Sequence, residues 1–427
     1  MASPGIRSYH IARTLAQQLP DAKVTLIHAG DTDLEAGAQP FQLARFEEKT
    51  LRSIAARQDI IIANQFPRSL FRLSWRKRMV LDLYTPFFTE WREFSKVSRK
   101  PALHQAFMDS KQHELLSEMA IADFFLCATD RQRDLYIGML SSMGLISTRG
   151  YDDDTSLRRL IAIAPFGIRP RPARAVKRRL KGVHPQIRET DMLIIWNGSI
   201  FEWYDVETLI RAVHRLGEER DDIKLFFMGA EHPDFRTDTQ FGGMGGGAVR
   251  EAVGLSRELG LLDRLVFFNF DWANEQETED YLLESDIGVC TYRASLETRF
   301  SFRVRYLDLF WASVPIVCTK GDIVADMVET RGLGLTIGEG DVDGLVAAIR
   351  RLADDAEFRN GCKRSLGEVR EEFGWELTLA PLIDYCKGER QPLVSKRDRL
   401  MPAIAQIAGW ARASARFRAL SKLRRDS

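Results

Sequence analysis

The sequence predicts an α/β protein of two Rossmann-like domains, and three observations carry that expectation. Two arrays of short apolar, β-branched runs alternate with helical stretches. An Arg- and Pro-rich segment without apolar periodicity, RPRPARAVKRRLKGVH, separates them. A chain of 427 residues exceeds one ordinary core, and 45% hydrophobic with 28% charged is a globular rather than a disordered balance.

In the first array AKVTLIHAG, DIIIANQF, RMVLDLYTP, ADFFLCAT and LIAIAPFG read as successive strands, which sets a first domain at 1–168. The Arg/Pro segment gives a linker at 169–184. In the second array DMLIIWNGS, IKLFFMGA, RLVFFNF, IGVCTY and PIVCT are the strands of a domain at 185–370, with VETLIRAVHRL and AVREAVGLSRELG among its helices.

Composition excludes several function classes. A net charge of +1 argues against a nucleic-acid binder, which would show a basic domain. The five cysteines are scattered, odd in number and set mostly in apolar runs, so they form neither a disulfide framework nor a metal cluster, and a reducing cytoplasm is the expected home. The seven histidines lack metal-ligand spacing. The acids of YDDD, Tyr151 to Asp154, fit a helix start better than a metal site. No apolar run approaches the roughly 18 to 20 residues that span a bilayer, and the N-terminus lacks a signal-peptide layout.

The chemistry concentrates in ETRFSFRVRYLDLFWASVPIVCTKGD, Glu297 to Asp322, which lies in a β-loop-α-β unit. In an open parallel sheet the loops at the carboxyl ends of the strands face the ligand, and the helix N-termini that follow attract anions. Glu297, Arg299, Arg303 and Arg305 fall there. Cationic forks suit a diphosphate and a carboxylate suits a ribose diol, so the mixture fits a nucleotide diphosphate linked to a sugar. A solvated, salt-bridged helix start would use the same residues.

This segment resembles the retaining glycosyltransferases of family 4, and especially a bacterial subgroup with a pattern like ETRFSFRxRxLDxxWAxxP. The resemblance covers nearly the whole chain. It implies the GT-B fold, two Rossmann-like domains facing a central cleft that holds the site, with an N-terminal acceptor domain and a C-terminal donor domain. The wider family carries Glu-x7-Glu before a proline, and Asp308, seven residues before Pro315, matches the second glutamate, which implies a bond to the donor ribose. The first falls on Phe300, so Glu297, one turn earlier, is the substitute and a candidate catalytic residue. Relatives reading GRxxxxKGxxxLIxA grip the diphosphate with an arginine and a lysine; Gly198 is kept here, but Ser199 and Tyr204 stand at the two cation positions. Arg299, Arg303 or Arg305 is then expected to supply the missing charge. Phe201, Trp203 and Tyr204 can stack on a base or sugar, or pack in the core.

Other parts follow from the same resemblance. Gly5 and Arg7, in a turn feeding the first helix, resemble the loop that contacts the transferred sugar or acceptor. The strand that precedes this helix in the family is absent, so either translation starts upstream of Met1 or the domain does without a central strand. VLDLYTPFF lacks the family's sugar-pocket histidine, and Asp82 takes its place as the candidate contact to a sugar or acceptor hydroxyl. The glycines from Gly242 to Gly247 read as a mobile loop, without the lysine of a P-loop. His232, in a GxxHP-like turn, either touches the nucleotide or caps a helix. Trp272, with Phe270 and Asp271, resembles the base-recognition loop. EEFGWELTLAPLIDYC, within 371–390, resembles the helix that crosses back to the first domain. The tail 391–427 sets Leu400, Ile404, Ile407, Trp410, Phe417 and Leu420 among cations, a basic amphipathic helix for an anionic membrane surface or for packing on its own domain.

The expected function is metal-independent, cofactor-free hexosyl transfer, with retention, from a nucleotide diphosphate sugar to a glycan or lipid-linked acceptor in cell-surface polysaccharide or glycolipid synthesis. The expected location is the cytoplasm or the inner face of the plasma membrane. A transfer-impaired binding or assembly protein, and a nucleotide-sugar epimerase or hydrolase of the same fold, are the alternatives.

Overall fold

The computed structural model describes residues 3–28, 39–96, 101–230, 246–388, 396 and 399–422. The chain forms two compact units. One comprises Met1–Trp91, Lys100–Gly167 and Phe373–Ser427, the other Arg92–Arg99 and Ile168–Glu372.

The second unit holds a six-stranded sheet, entirely parallel, of β7 (Met192–Asn197), β8 (Ile223–Met228), β9 (Val266–Phe268), β10 (Ile287–Cys290), β11 (Ile316–Thr319) and β12 (Gly334–Ile337). Its order is β12-β11-β10-β7-β8-β9, so the winding reverses between β7 and β10. Strands buried on both faces need apolar runs, and IVCT and IKLFFM are buried throughout; the one lysine, Lys224, donates from Nζ to the Arg264 carbonyl at 3.1 Å. Helix starts are fixed by side chains that accept from exposed backbone N–H groups. Asp205 caps the helix Val206–Glu219, Ser295 caps Leu296–Phe300, Asp322 caps Ile323–Arg331, and Asn274 makes a reciprocal box with Glu277. Residues 169–184, expected as a linker, run as a strap along the helix Glu275–Glu284. The backbone N–H groups of Val176 and Lys177 donate to Asp280, and those of Leu180 and Lys181 donate to Glu284.

The first unit holds a two-stranded parallel sheet, β1 (Thr25–His28) with β2 (Gln42–Arg45), and a four-stranded parallel sheet of β3 (Ile60–Ala63), β4 (Arg78–Asp82), β5 (Phe124–Cys127) and β6 (Ile161–Ile163) in that order. β5 is buried throughout, whereas all four residues of β1 and of β3 are half-buried. The chain returns to this unit at Phe373, where Trp375 stacks on His10 at 4.6 Å and fills the space beside Gly167, so closely that any Cβ there would collide with the indole.

The helix Leu400–Lys422 packs on the helix Pro101–Ile121 of its own unit. Two residues expected on a solvent- or membrane-facing stripe turn inward. Trp410 lies 7% exposed beneath the Arg68 guanidinium, 3.6 Å from the ring centroid, and Phe417 packs beside Phe107. Arg399 anchors the start of the helix through a 2.6 Å ion pair to buried Asp123. Met401, Ile404 and Ile407 remain exposed on its outer face. No helix among the described residues is long and apolar enough to cross a membrane.

Two strands were not foreseen. β2 is short and polar at both ends, QLAR. β12 begins in GLGLTIG, a run broken by glycines; the strand needs Gly334 because a Cβ there would run into the Ile316 carbonyl of β11. The YDDD acids also lie differently from expectation. They end the helix Thr148–Asp153 rather than start one, and Asp154 accepts from the N–H groups of Ser156 and Arg159 to close the next turn.

Candidate functional site

In a doubly wound sheet the loops after the two strands that flank the reversal diverge and leave a crevice at their carboxyl ends. Here those loops follow β7 and β10. They are tied to each other by a bridge between Tyr204 and Tyr292 and by the Thr291 hydroxyl donating to the Asp205 carbonyl at 2.6 Å.

The loop after β7 opens on Gly198, whose φ of +117° suits glycine. Arg305, at the start of the helix Arg305–Ala312, lies against it: Nη2 donates to the Ser199 carbonyl at 3.0 Å, and a Cβ on Gly198 would sit 3.4 Å from the same nitrogen. The guanidinium covers the Tyr204 ring at 4.3 Å and the Trp196 ring at 5.3 Å. Asn197 fixes the helix start by donating from Nδ2 to the Arg305 carbonyl at 2.8 Å. Among the described residues, Arg305 Nη1 and Asn197 Oδ1 are buried without a hydrogen-bond partner. Buried unmet donors on a cation are costly, and they suit an anion that supplies acceptors.

Asp308 lies one turn further along this helix with about a third of its side chain exposed, 3.6 Å from Arg169 Nη2. Loss of water around the carboxylate pushes its pKa up, against the pull of Arg169 and Arg305. Arg169 covers Trp311 at 4.4 Å and also has a buried Nη1 without a partner. Two guanidiniums with unmet donors thus act on one carboxylate.

Arg303 and Glu297 occupy a different environment. Arg303 is 4% and Glu297 2% exposed. Arg303 Nη2 donates to Glu297 at 2.8 Å and Nε to Asp322 at 3.2 Å, and its guanidinium lies 4.3 Å from the Tyr292 ring centroid. Burial disfavours the Arg303 charge, but Glu297 and its other neighbours outweigh that and hold the pKa well above its ordinary value. Asp322, pushed up by burial and pulled down by Arg303, also caps the helix after β11. Expected as a donor contact and a catalytic acid, Arg303 and Glu297 satisfy each other and brace the loop that carries Arg305. Arg299 is exposed at the end of the short helix Leu296–Phe300, its guanidinium 5.8 Å from the Phe300 ring centroid. Trp272 is 43% exposed in the loop after β9, where Phe270 stacks on Phe268. His232 and Gly242, Gly243 and Gly245 lie outside the described residues.

Two further expected residues meet in the first unit. Gly5 and Arg7 are not in a turn: both lie in the opening turns of the helix Ser3–Gln18, where Pro4 is tolerated because the first N–H groups need no helical partner. Arg7 is 1% exposed and grips Asp82 with two hydrogen bonds, at 2.6 and 2.8 Å. Two more of its N–H groups donate to the carbonyls of Ala164 and Pro165. Asp82 therefore reaches the end of β4 with both oxygens engaged.

Asn197, Arg169 and Asp322 were not singled out in the sequence. Asn197 carried one legible signal, a lone amide closing an otherwise apolar strand. Arg169 was hidden among the many arginines of the strap. No group of three His, Cys, Asp or Glu among the described residues is placed to hold a metal ion.

Residues 179–365, most of the second unit, match the family model described as glycosyl transferases, group 1. Solved structures share the fold over about nine-tenths of the chain. A glycosyltransferase from Rickettsia africae superposes with a TM-score of 0.60 at 12% identity, over 91% of this chain and 96% of that one. Sucrose-phosphate synthase from Thermosynechococcus elongatus gives 0.59 at 14% identity, over 89% and 92%. The chain has the GT-B fold. The Anabaena protein HepE, solved with UDP and glucose, gives 0.58 at 12% identity, over 91% and 97%. No curated protein matches the sequence.

Proposed function

We propose that this protein is a glycosyltransferase that moves a sugar, with retention and without a metal, from a nucleotide diphosphate donor to a glycan or lipid-linked acceptor. The supporting observation is Arg305. A guanidinium with a buried unmet N–H lies on a glycine loop at the reversal of a doubly wound sheet, where a diphosphate has both a cation and close backbone approach. It stands in for the arginine and lysine whose places Ser199 and Tyr204 take. Arg169 adds a second cation, and Asp308 accepts from the ribose hydroxyls. The match of residues 179–365 to group 1 glycosyl transferases favours the same reading, as does the HepE fold, which binds UDP and glucose.

Transfer from such a donor builds negative charge on the departing diphosphate, and fixed cations lower that barrier. Arg305 performs this task; the locked triad of Arg303, Glu297 and Asp322 keeps it in place. The exposed Met401, Ile404 and Ile407, followed by Arg412, Arg416 and Arg418, form an outer helix face suited to an anionic bilayer surface, where a lipid-linked acceptor resides.

The test is turnover of UDP-, GDP- and ADP-sugars, with proton NMR on the first anomer released. Retention predicts the donor's own anomer; the opposite anomer contradicts it. Tight nucleotide binding without turnover of any donor favours the transfer-impaired binding protein instead.

A further inference from the structure

Arg169 opens the strap, and its neighbours decide what it can meet. Its guanidinium lies over Trp311 at 4.4 Å, and Trp311 is buried. The indole Nε1 donates to the Arg171 carbonyl at 2.6 Å, and Arg171 clasps buried Glu279 with both Nη atoms, at 2.6 and 2.5 Å. The Arg169 fork is therefore held in place before any ligand arrives, which spares a ligand the cost of ordering it.

Held there, its donors are left unspent. Asp308 lies 3.6 Å from Nη2 and Glu275 lies 4.0 Å from Nε. Both approaches balance charge, and both are longer than a hydrogen bond. Among the described residues neither Arg169 nor Asp308 makes a side-chain hydrogen bond, and Arg169 Nη1 is buried without a partner. Both side chains are partly exposed, so a ligand can reach the pair. A fixed donor and a fixed acceptor 3.6 Å apart fit one hydroxyl between them, which accepts from the guanidinium and donates to the carboxylate with an ordinary length on each side. A phosphate oxygen, which only accepts, would satisfy half of the pair.

We infer that Arg169 and Asp308 grip one ribose hydroxyl of the donor between them, which makes Arg169 a residue that selects ribonucleotides over deoxyribonucleotides. This rests on the donor-site reading and adds to it a direct contact from the strap.

UDP, GDP and ADP, each with its 2′-deoxy and 3′-deoxy counterpart, are titrated by calorimetry into the full chain and into Arg169→Ala. Arg169→Met, which keeps the stem over Trp311 but no donor, serves if Arg169→Ala does not fold. In the unaltered protein one deoxynucleotide is expected to bind about tenfold more weakly than its ribonucleotide. In the variant the ribonucleotide is expected to fall about tenfold, and that deoxynucleotide by less than about twofold, because the contact it would lose is already gone. An Arg169 that acts only by its charge, or only through the fold, weakens all three nucleotides alike. That result overturns the inference and leaves the donor site standing, as does equal affinity of the unaltered protein for the ribonucleotide and both deoxynucleotides. No binding of any nucleotide by the folded protein overturns both.

Discussion

Arg303 and Arg305 are two residues apart and have opposite tasks. Arg305 keeps an unmet N–H beside Gly198, so Arg305→Ala should weaken nucleotide diphosphate binding roughly ten- to a hundredfold, the equivalent of about 1.5–3 kcal/mol for a charged hydrogen bond, with little change in thermal stability. Arg303→Ala leaves Glu297 and Asp322 buried without their cation and should cost about 3–5 kcal/mol of stability, read by urea unfolding. Glu118 supplies a pH test. Its pKa is raised from 4.5 to about 8, so the folded state binds more protons than the unfolded chain between those values. Its contribution is complete below pH 4.5 and is lost as pH rises through about 8. Relative to Glu118→Gln, the protein should lose on the order of a few kcal/mol between pH 5 and 8.5; parallel curves for the two would contradict the assignment. The sequence showed that arginines cluster near Asp308, but not which one stays available. That depends on Asp322, nineteen residues from Arg303 in sequence, reaching back through the fold.

Strands and helices were legible where periodicity spoke alone. FFLC is a continuous apolar run, and the sheet buries it whole. β12 was missed because its run is broken by glycines, of which Gly334 is required by the approach of β11. Gly334→Ala should therefore displace the edge strand, seen as loss of amide-exchange protection across Gly334–Ile337 with β7 and β8 unaffected. In the helix Leu400–Lys422 an amphipathic pattern was visible, but which apolar residues face inward depends on partners far away in sequence, Arg68 and Phe107. Trp410→Ala should cost about 3–5 kcal/mol, as deletion of a buried indole does. Ile404→Glu with Ile407→Glu should leave stability unchanged and abolish sedimentation with vesicles containing phosphatidylserine. Equal sedimentation of the double variant and the unaltered protein would remove the membrane role.

At the scale of the whole molecule the two arrays of strands and the break between them were readable because most of the parallel strands are largely apolar runs set between helical stretches. The linker 169–184 is also held along a helix, through bonds from its backbone N–H groups to Asp280 and Glu284 that no local pattern in the segment announces. The proposed donor site is built from residues of the second unit alone. Isothermal titration of the full chain with UDP, GDP and ADP, alongside Arg305→Ala and Arg303→Lys, measures what Arg305 contributes to nucleotide binding. Saturable binding of one nucleotide that falls at least tenfold in Arg305→Ala, in a protein still folded, is the predicted result. Equal affinity in Arg305→Ala and the unaltered protein, or no binding of any of the three, would contradict it.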